Sequence, residues 1–178
     1  SGNKCERGAG LPVPKDLPDI YAYKYEKLLA LPQPEREGAR GTVGLPVQLV
    51  MFEQLPLWTK FFETCGFRVV LSDRSSRELY FRDSTRRFGH IESLLDKGVD
   101  FIFYPCESYN LDEHDSINHY NCPVVAYYPE LLKANNERLT EENFVNPYLD
   151  LNDEKSSVHA LHRALARRKL PASLIRRA

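Results

Sequence analysis

The sequence predicts an α/β domain, a Rossmann-like and mostly parallel sheet with helices on both faces. Three observations predict it. Short runs rich in Val, Ile and Phe recur at 42–45, 67–71, 99–104 and 123–127, the pattern of strands buried on both faces. Segments with apolar residues at helical spacing separate most of them. Strand, helix and strand over about thirty residues form a unit whose strands lie parallel.

Taken in order, residues 1–40 form a Pro/Gly-rich N-terminal arm and 41–178 a single α/β domain. Pro12, Pro14, Pro18, Pro32 and Pro34 punctuate the arm, and long regular elements do not survive such spacing. Within it, Tyr21, Tyr23 and Tyr25 alternate as in a strand, whereas Leu28 and Leu29 suit a helix; both assignments stay open. Thr42–Leu45 is the first strand, ended by Pro46. The helical run from Leu49 to Phe62 contains Pro56, which predicts a kink or two abutting helices with Pro56 in the first turn of the second. Gly66 stops that run.

Phe67–Leu71 is the second strand, and Ser72-Asp73 caps a turn into a helix through Arg77–Tyr80. Phe88, Ile91, Leu94 and Leu95 make one face of a helix ending at Gly98. Val99–Tyr104 is the third strand, and Pro123–Tyr127 the fourth, followed by a short helix that Pro129 opens. Residues 136–154 read as an acidic loop. Val158, Leu161, Leu165 and Ile175 belong to closing helices with basic outer faces.

The chain has 178 residues, 42% hydrophobic and 28% charged, which suits one globular domain. Lys plus Arg number 24 against 25 Asp plus Glu. Nucleic acid and anionic membranes call for a basic excess that this balance lacks. No apolar run approaches the ~18 residues of a membrane-spanning helix, and the first residues do not show the basic, apolar and small-residue pattern of a secretory signal. The chain begins Ser1-Gly2-Asn3 without an initiator Met, so a piece of a longer protein is expected. Four cysteines are too sparse for a disulfide scaffold; reduced thiols and a cytoplasmic location are the expectation.

In an open parallel sheet, ligands gather beyond the carboxyl ends of the strands. The loops there are Pro46–Gln48, Ser72–Ser76, Pro105–Asn110 and, after the fourth strand, Tyr128–Glu130. Cys106 lies in the third. Cys122 reaches the same rim only if the segment between them folds back. Cys106, His114, His119 and Cys122 give Cys-x7-His-x4-His-x2-Cys, chemically suited to iron–sulfur or zinc. The spacing fits no compact zinc pattern, and on spacing alone two buried or half-buried thiols are the preferred reading. Ser72, Asp73, Ser75 and Ser76 form an anion-binding candidate whose plainer reading is a solvated cap. Cys65 reads as core, and His159 and His162 as surface side chains. No phosphate-loop motif occurs.

Several strings together resemble a family. They are Asn3–Gly10, Gly41–Pro46 with Met51–Trp58 and Phe61-Phe62, Val69–Tyr80, Gly89–Glu92, Lys97–Cys106 and Asn118–Val125. Together they are similar to the segment that joins activator ATPase and dehydratase-like parts in large fused proteins, the CoA-substrate-specific enzyme activases related to 2-hydroxyacyl-CoA dehydratases. The resemblance implies a Rossmann-like domain in which thiolates hold a four-iron, four-sulfur (4Fe–4S) cluster. Carried over by position, Cys106 and Cys122 are metal ligands, with His119 and Asn121 packed behind them. The implied partners are the activator ATPase and dehydratase-like domains of the same or a larger protein.

The chain departs from the family pattern between Tyr80 and Gly89, where relatives carry a further cysteine and this sequence has only Phe81–Phe88. The expectation is therefore an iron–sulfur or redox accessory domain. The alternative is a non-catalytic docking module that has lost the cluster and holds no cofactor. A second alternative is a zinc-binding structural domain using Cys106, Cys122 and either His114 or His119. Catalysis by the isolated chain is not expected.

Overall fold

In the computed structural model, which describes residues 10, 17–32, 39–74, 89–112, 114 and 117–178, helices and strands alternate. The order is α1 (Ile20–Leu29), β1 (Thr42–Leu45), α2 (Val50–Thr64), β2 (Arg68–Leu71), α3 (Gly89–Asp96), β3 (Phe101–Phe103), β4 (Cys106–Glu107), α4 (Pro123–Asn135), β5 (Phe144–Val145), β6 (Tyr148–Leu149), α5 (Glu154–Ala164) and α6 (Ala172–Arg177), with a 3-10 turn at Ala166–Arg168. Four strands make one parallel sheet in the order β2-β1-β3-β5. A second, two-stranded parallel ribbon joins β4 to β6.

Register explains how the two faces are filled. Val43 lies beside Phe101, and Gly44 beside Ile102, so side chains alternate between faces along both strands. On the α2 side, Phe62 packs against Phe101, Phe103 and Phe67 at ring distances of 5.9, 4.9 and 6.0 Å. Trp58 meets Phe103 at 4.7 Å. On the other side α3 presses on β1 where Gly44 stands: a Cβ there would lie 3.0 Å from Val99 and 3.1 Å from Leu94. The absent side chain is what lets the helix approach.

At the amino ends of the strands, Asp100 accepts hydrogen bonds from the Thr42 amide at 2.6 Å and the Thr42 hydroxyl at 2.9 Å. Gly41, at φ +101°, makes room for this latch, since a Cβ would fall 2.5 Å from the carboxylate.

Several expectations need correction. Pro123–Tyr127 is not a strand but the opening of α4, with Cys122 as its N-cap and Pro123 in the first turn. A proline at that place suits a helix, because its missing N–H has no partner there anyway. Pro129 stands inside the same helix instead of opening a new one, so Tyr128–Glu130 is not a strand-end loop. The fourth strand is Phe144–Val145, inside the stretch that reads as a loop. Pro56 likewise sits within one continuous helix, Val50–Thr64. The open choice at 20–29 resolves as a helix, capped by Asp19 accepting from the Ala22 amide at 2.9 Å. The helix expected through Arg77–Tyr80, and Phe88 on the face of α3, lie outside the described residues. Cys65 is buried as expected, and His159 and His162 are exposed.

Candidate functional site

The strand order fixes where a ligand crevice opens. From β1 the chain turns to β2 on one side, and from β3 it proceeds toward β5 on the other. Loops leaving in opposite directions open a gap between the carboxyl ends of β1 and β3, the topological switch point. Residues 46–49 form one wall and 104–107 the other.

Buried polar groups collect at this point. Glu107 is 1% exposed. Its Oε2 accepts from Gln54 Nε2 at 2.5 Å, and Gln54 Oε1 accepts from Trp58 Nε1 at 2.7 Å. The relay thus runs from the core of α2 to the end of β4. The second carboxyl oxygen of Glu107 has no partner. Burial pushes the Glu107 carboxyl up to about 7, against the pull of the Gln54 hydrogen bond. Tyr104 is also buried, and burial raises its hydroxyl far above the ordinary phenol value, with Tyr128, Cys106 and Glu107 adding to the effect. Gln48 lies beside that hydroxyl, yet neither Gln48 Nε2 nor the Tyr104 oxygen attains hydrogen-bond geometry. Native interiors leave few polar atoms in this condition, and three of them share one crevice.

The cysteines separate by environment. Cys106 is buried in β4. Burial, then the nearby Glu130 and Glu107 carboxylates, push its thiol up to about 12, although a backbone hydrogen bond from Glu130 works the other way. Cys122 is exposed at the start of α4. The segment between them does fold back: Tyr109 pairs with Tyr120 in an antiparallel bridge, and the Asn110 amide donates to the His119 carbonyl at 2.7 Å. Asn121 supports the crevice from behind, its side chain donating to the Glu107 carbonyl at 3.0 Å. The rings of His114 and His119 lie 3.3 and 3.5 Å from one Asp112 oxygen.

Among the described residues no three His, Cys, Asp or Glu side chains are placed to hold a metal ion. With no ion beside it, burial keeps the Cys106 thiol protonated. Cys65, where burial pushes the thiol up to about 11 despite Arg40, follows α2 at the opposite end of the strands. Cys5 lies outside the described residues.

Of the anion-binding candidates, Ser72 and Asp73 are occupied. Ser72 Oγ accepts from the Val47 amide at 2.9 Å and meets His90 Nδ1 at 2.8 Å. Asp73 accepts from Ser93 Oγ at 2.8 Å and pairs with Lys97 at 2.8 Å, and the Lys97 hydrogen bond chiefly lowers its carboxyl below the usual range. These contacts pin the end of β2 to α3. Ser75 and Ser76 lie outside the described residues.

Glu107 carried no prior signal beyond standing in a strand-end loop, and Gln54 none at all. Their partnership spans 53 residues of sequence, so only the fold could disclose it.

Thiol chemistry reports on this arrangement. Each unit of pKa removes about tenfold of the thiolate, so in a Cys5→Ser background Cys122 should react first with a disulfide reagent. Cys106 should lag behind an ordinary thiol by about a thousandfold at neutral pH, since the thiolate is the nucleophile. Equal rates for Cys106 and Cys122 in the folded protein would contradict the burial described.

A parallel α/β sheet with helices packed on it and a polar crevice at its switch point is a Rossmann-like α/β domain. Residues 42–178 match the family described as the CoA enzyme activase uncharacterised domain, and the chain belongs to that family. No curated protein and no solved structure matches it. Among the described residues no helix is long and apolar enough to cross a membrane.

Proposed function

We propose that this domain is a docking module of a CoA enzyme activase assembly and holds no metal cluster of its own. One observation carries the reading, an exposed tyrosine face around the start of α4. Val124, Tyr127 and Leu131 are exposed along one side of that helix. Tyr127 packs against Tyr148 of β6 at 6.3 Å, and the Ser108 hydroxyl donates to the Tyr127 hydroxyl at 3.4 Å. Tyr109 and Tyr120 extend the face, their rings 4.7 Å apart. Tyrosines offer large contact area at low entropic cost and are enriched among residues that dominate interfaces. Partners of this face are the activator ATPase and dehydratase-like domains of the same or a larger protein.

Two measurements test the proposal. The Tyr127→Ala, Tyr148→Ala double variant should fold normally and weaken association with those domains by at least about tenfold, the scale of one hot spot. Unchanged association would refute the docking face. After anaerobic preparation the chain should contain no stoichiometric iron or acid-labile sulfide. Iron that disappears in a Cys106→Ala variant would instead make the domain a cluster carrier.

A further inference from the structure

A cavity of about 530 Å³ opens between α1 and the start of α2, within the usual range for small-molecule sites. Its walls are aromatic. Tyr21 stacks on Phe52 at 5.8 Å with 21° between the planes, and Tyr25 lies 5.2 Å from the same ring. Val47 and Leu49 add aliphatic surface.

Its polar character comes from a helix end and a cation. Tyr25, 7% exposed, contributes its ring and not its buried hydroxyl to the wall. The α2 N-terminus opens beside the cavity at Leu49 with no side-chain cap, so the first amides of the helix keep their partial positive charge. Arg74 lines the rim, its guanidinium 4.9 Å from the centre of the Tyr25 ring. The acidic residue lining the cavity, Glu53, is paired with Lys24 at 2.5 Å. The balance of the site is therefore positive.

We propose that this cavity binds a small ligand with a planar ring and one anionic group, carboxylate or phosphate. The ring lies against the Tyr21, Tyr25 and Phe52 faces. The anion meets Arg74 and the first α2 amides. No chemistry on the ligand is implied. The cavity is separate from the tyrosine face around α4, so the two readings stand or fall independently.

Benzoate, phenyl phosphate, benzamide and inorganic phosphate, titrated against the full chain by calorimetry, test the proposal. At least one of the two ring-bearing anions should bind saturably with Kd below about 1 mM, weak but measurable; which of them binds more tightly decides between carboxylate and phosphate. Benzamide, lacking the charge, and inorganic phosphate, lacking the ring, should each bind at least about tenfold more weakly. Arg74 is exposed, so the Arg74→Gln variant should keep its melting temperature while losing about tenfold in affinity, and Arg74→Lys should recover part of it. Tyr25→Phe, which keeps the ring that walls the cavity, should bind as the parent does, and so should the Tyr127→Ala, Tyr148→Ala chain. Absence of saturable binding by both ring-bearing anions, or affinity indifferent to Arg74→Gln, would overturn the assignment.

Discussion

Replacing Glu107 by glutamine should make the protein more stable above neutral pH, by about 3 kcal/mol at most, and leave it nearly unchanged in mild acid. Burial lifts this carboxyl from 4.5 to about 7, and each unit corresponds to about 1.4 kcal/mol of differential interaction. Below pH 4.5 the folded and unfolded chains both hold the proton, and the group contributes no slope. Between 4.5 and 7 the unfolded chain releases the proton that the folded chain keeps, so stability falls as pH rises. Above 7 the folded protein carries a buried carboxylate with one unpartnered oxygen, and the full penalty is in place. A glutamine retains a carbonyl that can accept from Gln54 and has no charge to bury.

Urea unfolding of both proteins at several pH values between 4.5 and 8.5 measures the difference directly. The comparison cancels the other shifted groups. His90, whose protonation burial disfavours, and Asp73, held ionised chiefly by Lys97, act with the opposite sign and are common to both chains. Parallel stability curves for Glu107→Gln and its parent would show that the carboxyl is not buried as described. The single Trp58, joined to Glu107 through Gln54, provides a second readout: its emission should titrate near pH 7 in the parent and not in the variant.

Legibility of the sequence depended on element length. The α2 region declares itself through apolar residues at helical spacing over four turns, and Pro56 within it changes nothing about which face is buried. A five-residue apolar run such as Pro123–Tyr127 fits a strand or one helical turn equally well. What decides it is the continuation to Asn135, including a Pro129 that reads locally as a start signal. The strand at Phe144–Val145 is two residues long amid polar neighbours; only its pairing with Ile102 and Phe103 makes it a strand.

The candidate site was legible as a place, not as a set of residues. Cysteines attract attention because thiols carry chemistry, yet burial divides Cys106 from Cys122 in ways that spacing cannot express. Glu107 drew no attention because glutamates are ordinarily solvated. Its distinction comes from Gln54 and Trp58, supplied by a helix far away in sequence. The loops expected at the rim, 46–48 and 105–110, do carry Gln48, Cys106 and Glu107.

The aromatic layer beneath that site should be the most sensitive part of the core. Phe62 is fully buried and touches four rings, with Phe61 at 5.0 Å completing the set formed by Phe67, Phe101 and Phe103. Phe62→Ala removes a large side chain from a place where neighbours on two strands and one helix cannot all collapse inward. The expected cost is about 3–5 kcal/mol, against about 1 kcal/mol for Phe62→Leu, which keeps most of the volume. Urea unfolding followed by Trp58 emission measures both.

A cost below about 1 kcal/mol for the alanine variant would mean that the layer is not close-packed. The effect should also travel. Phe103 bridges Phe62 and Trp58, and Trp58 anchors the Gln54 hydrogen bond to Glu107. A void beneath Phe103 loosens that anchor, and because the Gln54 hydrogen bond holds the Glu107 carboxyl down against burial, the Trp58-detected titration of Glu107 should move up from about 7 in Phe62→Ala. Phe62→Leu should leave it in place, since a leucine fills most of the space and keeps Phe103 and Trp58 where they are.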